Sequence, residues 1–198
     1  MILSIPIALT LSRILLGPLF IVVYIYYQEM GITLLWLPYL LIALAVLSEL
    51  SDMFDGFIAR RQKKVTDLGK LLDPMADSIF RLSILLSFTQ GAIQLPVLLV
   101  AVFFYRDTII STLRTLCALK GLALAARVSG KVKAVIQAVI GFFILILMIP
   151  YSLGCLDISF LQTISFYAVL VSAVYTVYSG AEYIYAYRKD IRKALGIS

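Results

Sequence analysis

The sequence predicts an all-α membrane protein, with six transmembrane helices preceded by a short interfacial segment. Three observations carry that reading. Hydrophobic residues make up 62% of the 198 positions, well above the roughly 45–50% of soluble domains. Charged residues make up only 14%, and the mean hydropathy is +1.02. The basic residues also fall in alternate polar gaps, the pattern left by an even number of spans with both termini on the positive, cytoplasmic face. The length suits one domain, taken as 1–198.

In chain order, residues 1–9 contain Pro6 and read as the interfacial segment that feeds the first span. Apolar runs then predict helices over roughly 10–27, 33–60, 71–90, 94–118, 131–150 and 160–187, each near or above the ~20 residues a span needs. Turn signals at Gly31, at Gly91 with Pro96, at Gly121, at Gly130, and at Pro150 with Gly154 separate them. Lys and Arg cluster at 60–70, 114–133 and 188–193, whereas the gaps near 28–31, 89–94 and 154–159 carry only Glu29 and Asp157. The net charge of +6 therefore reads as a surface held near anionic headgroups rather than a nucleic-acid footprint. No cleavable signal peptide or transit peptide is expected at the N-terminus. Cys117 and Cys155 are expected on opposite faces, which excludes a disulfide between them. Histidine is absent from the sequence. Without it, imidazole base chemistry and imidazole metal ligation are excluded, leaving carboxylates as candidate catalysts.

Four carboxylates stand out against this background. Asp52 and Asp55 fall near the end of the second predicted helix, and Asp73 and Asp77 near the start of the third. Acids in or near hydrocarbon are costly and mark function by default. Spacings of three and four place each pair on one helix face. A loop of about ten residues makes the two helices antiparallel neighbours, so both pairs are expected to face one cavity. Asp52 lies ~12 Å along the helix from Arg60 at the membrane edge, a shallow depth.

Carboxylates brought this close repel one another unless a cation intervenes. An oxygen-only set suits Mg²⁺, Mn²⁺ or Ca²⁺ rather than zinc, and two such ions could bridge a diphosphate. Gly56 and Gly69 leave room for a ligand to approach the backbone, and Arg60 offers a forked donor for phosphate. The competing reading of the same acids is a proton or ion pathway in a transporter.

The full pattern, Asp52-x2-Asp55-Gly56-x2-Ala59-Arg60-x8-Gly69-x3-Asp73-x3-Asp77, resembles the CDP-alcohol phosphotransferase motif at every fixed position. The resemblance implies six transmembrane helices after a short juxtamembrane segment, a homodimer, and displacement of CMP from a CDP-linked lipid or alcohol by a hydroxyl acceptor. It implies that Asp52, Asp55, Asp73 and Asp77 are the ligands of two Mg²⁺ or Mn²⁺ ions. It further implies that Asp77 is the catalytic base, and that Asp55, Gly56, Arg60 and Thr66 hold the CDP moiety.

A second stretch narrows the acceptor. Arg106-Asp107-x6-Arg114, Lys120-Gly121 and Gly130-Lys131-x-Lys133-x3-Gln137 are similar to the branch of that family whose donor is CDP-diacylglycerol and whose acceptor is sn-glycerol 3-phosphate. The runs Ile5-Pro6-x2-Leu9-Thr10-x2-Arg13 and Val65-Thr66-x-Leu68-Gly69-Lys70 are similar as well. A phosphorylated acceptor needs cations, and Arg106, Arg114, Lys131 and Lys133 are the candidates. Their alternative role is ordinary positive charge at helix ends. Asp107 is expected to pair locally with a basic group. The chain departs from that branch at Ile7, where Asn is usual, and at Ser78, where Lys is usual. Arg81, one turn beyond Asp77, could supply the missing cation, and Glu49, one turn before Asp52, adds a fifth acid to that face of the second predicted helix. Other acceptors on the same fold are serine, inositol phosphate and phosphatidylglycerol. The expected setting is the bacterial cytoplasmic membrane, with the active site facing the cytoplasm.

Overall fold

The structure, a computed structural model, describes residues 5–61, 67–122 and 124–196, and side chains over 12–51, 75–122 and 124–196. The described residues form seven α-helices and no strand: α1 (Ile5–Tyr26), α2 (Leu37–Arg61), α3 (Asp67–Ser87), α4 (Val97–Leu119), α5 (Val128–Ser152), α6 (Ile158–Ala186) and α7 (Arg188–Leu195).

Several boundaries differ from the sequence expectation, each for a local reason. Helix α1 is continuous from Ile5, so residues 5–9 extend the first long helix rather than forming a separate segment. Pro6 fits there because the first turn has no intrahelical partner for its missing N–H. Gly130 sits inside the first turn of α5, and Pro150 inside its last turn, so neither separates helices. The chain leaves α5 at Gly154, whose φ of +73° is open to glycine and strained for other residues. Helix α3 begins a turn earlier than predicted, which takes Gly69 and Lys70 into it. A short amphipathic helix, α7, follows Tyr187 where only a basic tail was expected.

Helix α1 packs on both α2 and α3, and α5 packs on α2, α3 and α6. Helix α4 packs on α6 and α3, and α7 closes against α4 and α6. Gly17 lets α1 and α3 approach: a Cβ there would stand 2.7 Å from Ser83 Oγ. The α1–α3 seam continues through Phe20 and Phe80, packed edge-to-face with ring centroids 6.1 Å apart. The core runs on through Leu41, Phe88, Phe103 and Ile144.

Two helices, α5 and α6, are long and apolar enough to cross a membrane, and only 33% and 28% of those stretches is buried. A soluble core helix of such composition would be mostly buried. The outer face is apolar too: Leu98, Leu119, Val128, Val171 and Val174 are each more than 60% exposed. Such a surface fits lipid. Helix α4 carries Arg106, Asp107 and Arg114, and α3 carries five charged residues. Those charges lower the apolar character of both helices while marking where function sits.

Candidate active site

The four aspartates lie at one end of the bundle, because α2 runs into α3 through a short connection. Asp52 and Asp55 occupy the last turns of α2, and Asp73 and Asp77 the first half of α3. Each pair falls within one continuous helix. The side chains of Asp52, Asp55, Arg60 and Asp73, the surroundings of Gly56, and the whole of Thr66 lie outside the described residues. Glu49, Phe80, Arg81 and Gln137 line one small cavity of about 10 Å³ between α2, α3 and α5, room for about one water. Gln137 is buried, and neither atom of its amide has a partner among the described residues.

The side chain of Asp77 is among the described ones. Its Oδ1 accepts a hydrogen bond from Arg13 Nη1 at 2.5 Å, and its Oδ2 lies 3.9 Å from Arg81 Nη1. Arg13 is almost fully buried, while the Asp77 side chain keeps 27% of its surface open. An ionised carboxylate has about four acceptor positions, enough for it to serve more than one cation.

Beside it stands a four-helix polar cluster. Ser78, the residue after Asp77, donates to Asp107 Oδ2 at 2.6 Å. Lys133 Nζ lies 2.8 Å from both oxygens of Asp107. Arg106 donates to Asp107 Oδ1 at 3.0 Å and to Ser179 Oγ at 2.9 Å. Glycines make the space for Arg106: a Cβ on Gly180 would lie 3.2 Å from its Cγ, and one on Gly130 would lie 3.5 Å from its Nη2. The cluster therefore joins α3 (Ser78), α4 (Arg106, Asp107), α5 (Lys133) and α6 (Ser179).

Of the four predicted acceptor residues, the structure brings Arg106 and Lys133 together and leaves two apart. Lys131 is exposed at the start of α5, since residues two apart on a helix point to nearly opposite sides. Arg114, two turns from Arg106, donates to Tyr183 Oη at 3.1 Å, and its guanidinium lies 5.1 Å from that ring. Sequence reasoning assigned no role to Arg13 or Ser179. An arginine set in the apolar run of α1 was the available signal for the first, but nothing in the sequence singled out the serine. Near the N-terminus of α5, Glu182 pairs with Arg127 at 2.5 Å and accepts from Ser129 at 2.6 Å, apart from this cluster.

Such a helical bundle, with paired aspartates at one end and a buried cationic cluster beside them, has known counterparts. The chain belongs to the CDP-alcohol phosphatidyltransferase family, whose model matches residues 3–178, and it is a transferase of that family. It is similar at 33% identity over 195 residues to a protein of Sodalis glossinidius, covering 96% of this chain and 97% of that one. It is similar at 32% over 194 residues to one of Pectobacterium atrosepticum, covering 95% and 97%. It is similar at 30% over 186 residues to one of Bacillus subtilis, covering 91% and 93%. All three are named CDP-diacylglycerol–glycerol-3-phosphate 3-phosphatidyltransferase.

Proposed function

We propose that the protein transfers the phosphatidyl group of CDP-diacylglycerol to sn-glycerol 3-phosphate, releasing CMP and forming phosphatidylglycerophosphate. The observation that carries this reading is the pair of neighbours at one end of the bundle: a half-open carboxylate, Asp77, beside the Arg106–Lys133 cluster. A hydroxyl acceptor needs a base, and a phosphorylated one needs cations close by.

Asp52, Asp55, Asp73 and Asp77 would hold two divalent ions, Mg²⁺ or Mn²⁺. The donor set fits, being oxygen-only in a chain without histidine. Ions bound there would neutralise charge on the diphosphate and on the phosphoryl centre as it is attacked. The chain's own groups do the rest. Asp55, Gly56, Arg60 and Thr66 bind the cytidine diphosphate, while Arg106 and Lys133 receive the acceptor phosphate. Asp77 takes the proton of the acceptor 1-hydroxyl. The freed oxygen forms its bond to the β-phosphorus as the bond from that phosphorus to the bridging oxygen breaks, and CMP leaves with the bridging oxygen. No serine, cysteine or histidine arrangement offers a covalent route.

The same reading places the protein in the bacterial cytoplasmic membrane as a homodimer with six spans, its site facing the cytoplasm and the acyl chains of the donor in lipid. It is tested with purified protein, labelled CDP-diacylglycerol, Mg²⁺ and a panel of acceptors, separating the lipid products. Phosphatidylglycerophosphate should form, and Asp77→Asn should slow its formation by about 10²–10⁴-fold, the contribution typical of a positioned base. Turnover of serine or inositol phosphate in place of glycerol 3-phosphate would overturn the acceptor assignment, and full activity of the Asn variant would overturn the base.

A further inference from the structure

Asp107 has three partners from three helices, and the transfer step proposed above gives it no role. Lys133 and Arg106 both donate to it, and so does Ser78. Its side chain is 11% exposed, and that of Lys133 is 4%. A lysine ammonium is a strongly hydrated point charge on a flexible stem. Left alone in this setting it would turn to solvent or lose its proton. Contact with both Asp107 oxygens at 2.8 Å fixes Nζ in place, and its three donors leave at least one N–H for a further anion. Two cations against one carboxylate also leave the cluster with one positive charge in surplus. It therefore remains attractive to a phosphate after its internal pairing.

The third partner links this cluster to the base. Ser78 Oγ donates to Asp107 from the residue next to Asp77, so the α4 carboxylate is tied to the turn of α3 that carries the base. A neutral donor suffices at that position, because Lys133 and Arg106 already bring two cations to Asp107.

Resting on the acceptor assignment above, we infer that Asp107 is a positioning residue for the acceptor. It holds Lys133 and Arg106 in register to receive the acceptor phosphate and, through Ser78, sets them at a fixed distance from Asp77. Asp107 does not touch substrate; it acts through the two cations.

The test is steady-state kinetics on purified protein in lipid nanodiscs, varying glycerol 3-phosphate and CDP-diacylglycerol separately. Asp107→Asn keeps the shape and removes the charge. It should raise KM for glycerol 3-phosphate about tenfold, the worth of one charge-assisted contact. KM for CDP-diacylglycerol should stay within about twofold and kcat within about threefold, the signature of lost acceptor binding rather than general damage. Ser78→Ala, which removes one neutral donor, should shift KM for glycerol 3-phosphate the same way by about threefold, and it decides alone where Asp107→Asn does not fold. An unchanged or lower KM for glycerol 3-phosphate, or an equal rise in both KM values, overturns the inference. If the wild-type protein fails to use glycerol 3-phosphate, the acceptor assignment falls and this inference with it; if it does use it, a null variant removes the inference alone.

Discussion

Arg13 shows how one side chain can combine structure and chemistry. It is buried in α1, and its guanidinium meets Asp77 across the α1–α3 contact at 2.5 Å. A second cation near that carboxylate, Arg81, is 3.9 Å away, beyond hydrogen-bonding distance. Arg81 therefore cannot replace Arg13 without moving. Removing one partner of a fully buried ion pair costs ~3–5 kcal/mol, but Asp77 is partly open and keeps Arg81 nearby. Arg13→Ala should accordingly cost about 1–2 kcal/mol, nearer the cost of an unmet charged hydrogen bond. Thermal denaturation measures that loss. Initial rates at saturating acceptor should fall about 10²-fold as the proposed base loses its orientation, and a rate close to wild type would mean that Asp77 is positioned without Arg13. The sequence showed the arginine but not its partner, because sixty-four residues separate the two and no periodicity links them. Lys131 and Lys133 show the opposite case: the sequence grouped them, and a helical phase of two residues set one outside and one inside.

Helices α1 and α3 come close together at Gly17. A Cβ there would meet Ser83 Oγ at 2.7 Å, nearer than real Cβ contacts come. Ser83 is also committed to its own helix, donating to the Ile79 carbonyl at 2.9 Å, so the hydroxyl cannot move without giving up that bond. Gly17→Ala should therefore lower stability by about 1–3 kcal/mol, the range for overpacking a tight contact. Because the same seam sets Arg13 on Asp77, activity should fall with it. Adding Ser83→Ala removes the obstructing atom and should recover most of the loss; thermal melts of the two single variants and the double variant measure the coupling. If the single variant melts like the wild type, the seam is looser than described. Helix identity was legible from apolar runs, but helix ends were less so. Gly130 and Pro150 read as breaks, yet both lie inside α5: Gly130 falls in its first turn, and Pro150, which gives up one intrahelical bond, falls only two residues before its end. Gly130 stays for a different reason, the space it leaves for Arg106, which only the fold reveals.

Across the whole molecule, the all-helical architecture and the end of the bundle carrying the aspartates could be read in advance, since both follow from composition and spacing. The cation cluster was legible only in part: Arg106 and Lys133 stood among the acceptor candidates and Asp107 was expected to pair with a basic group, but their junction with Ser78 and Ser179, from four helices in all, forms only on folding. The alternating basic gaps predict a definite topology that charged helices such as α3 and α4 obscure when hydropathy alone is used. The connection from α5 to α6 offers a natural reporter. Cys155 is free and exposed there, between Gly154 and the α6 cap at Asp157, which accepts from the Ser159 N–H at 3.2 Å. Cys117 is free but buried, so the two thiols differ in access before any membrane is considered. With six spans and both termini inside, a membrane-impermeant maleimide should label Cys155 in spheroplasts and leave Cys117 unmodified until denaturation. A protease site fused after the C-terminus should be cut in inverted vesicles and protected in spheroplasts, because the basic helix α7 belongs on the positive-inside face. Labelling of Cys155 only in inverted vesicles would reverse the orientation, and cleavage of the fused site only in spheroplasts would do the same. If both reporters respond from one side, an even number of spans separates the α5–α6 connection from the C-terminus and α6 does not cross as proposed; if that side is the cytoplasmic one, the three helices α3, α4 and α5 would set the α2–α3 end on the opposite face, away from cytoplasmic glycerol 3-phosphate.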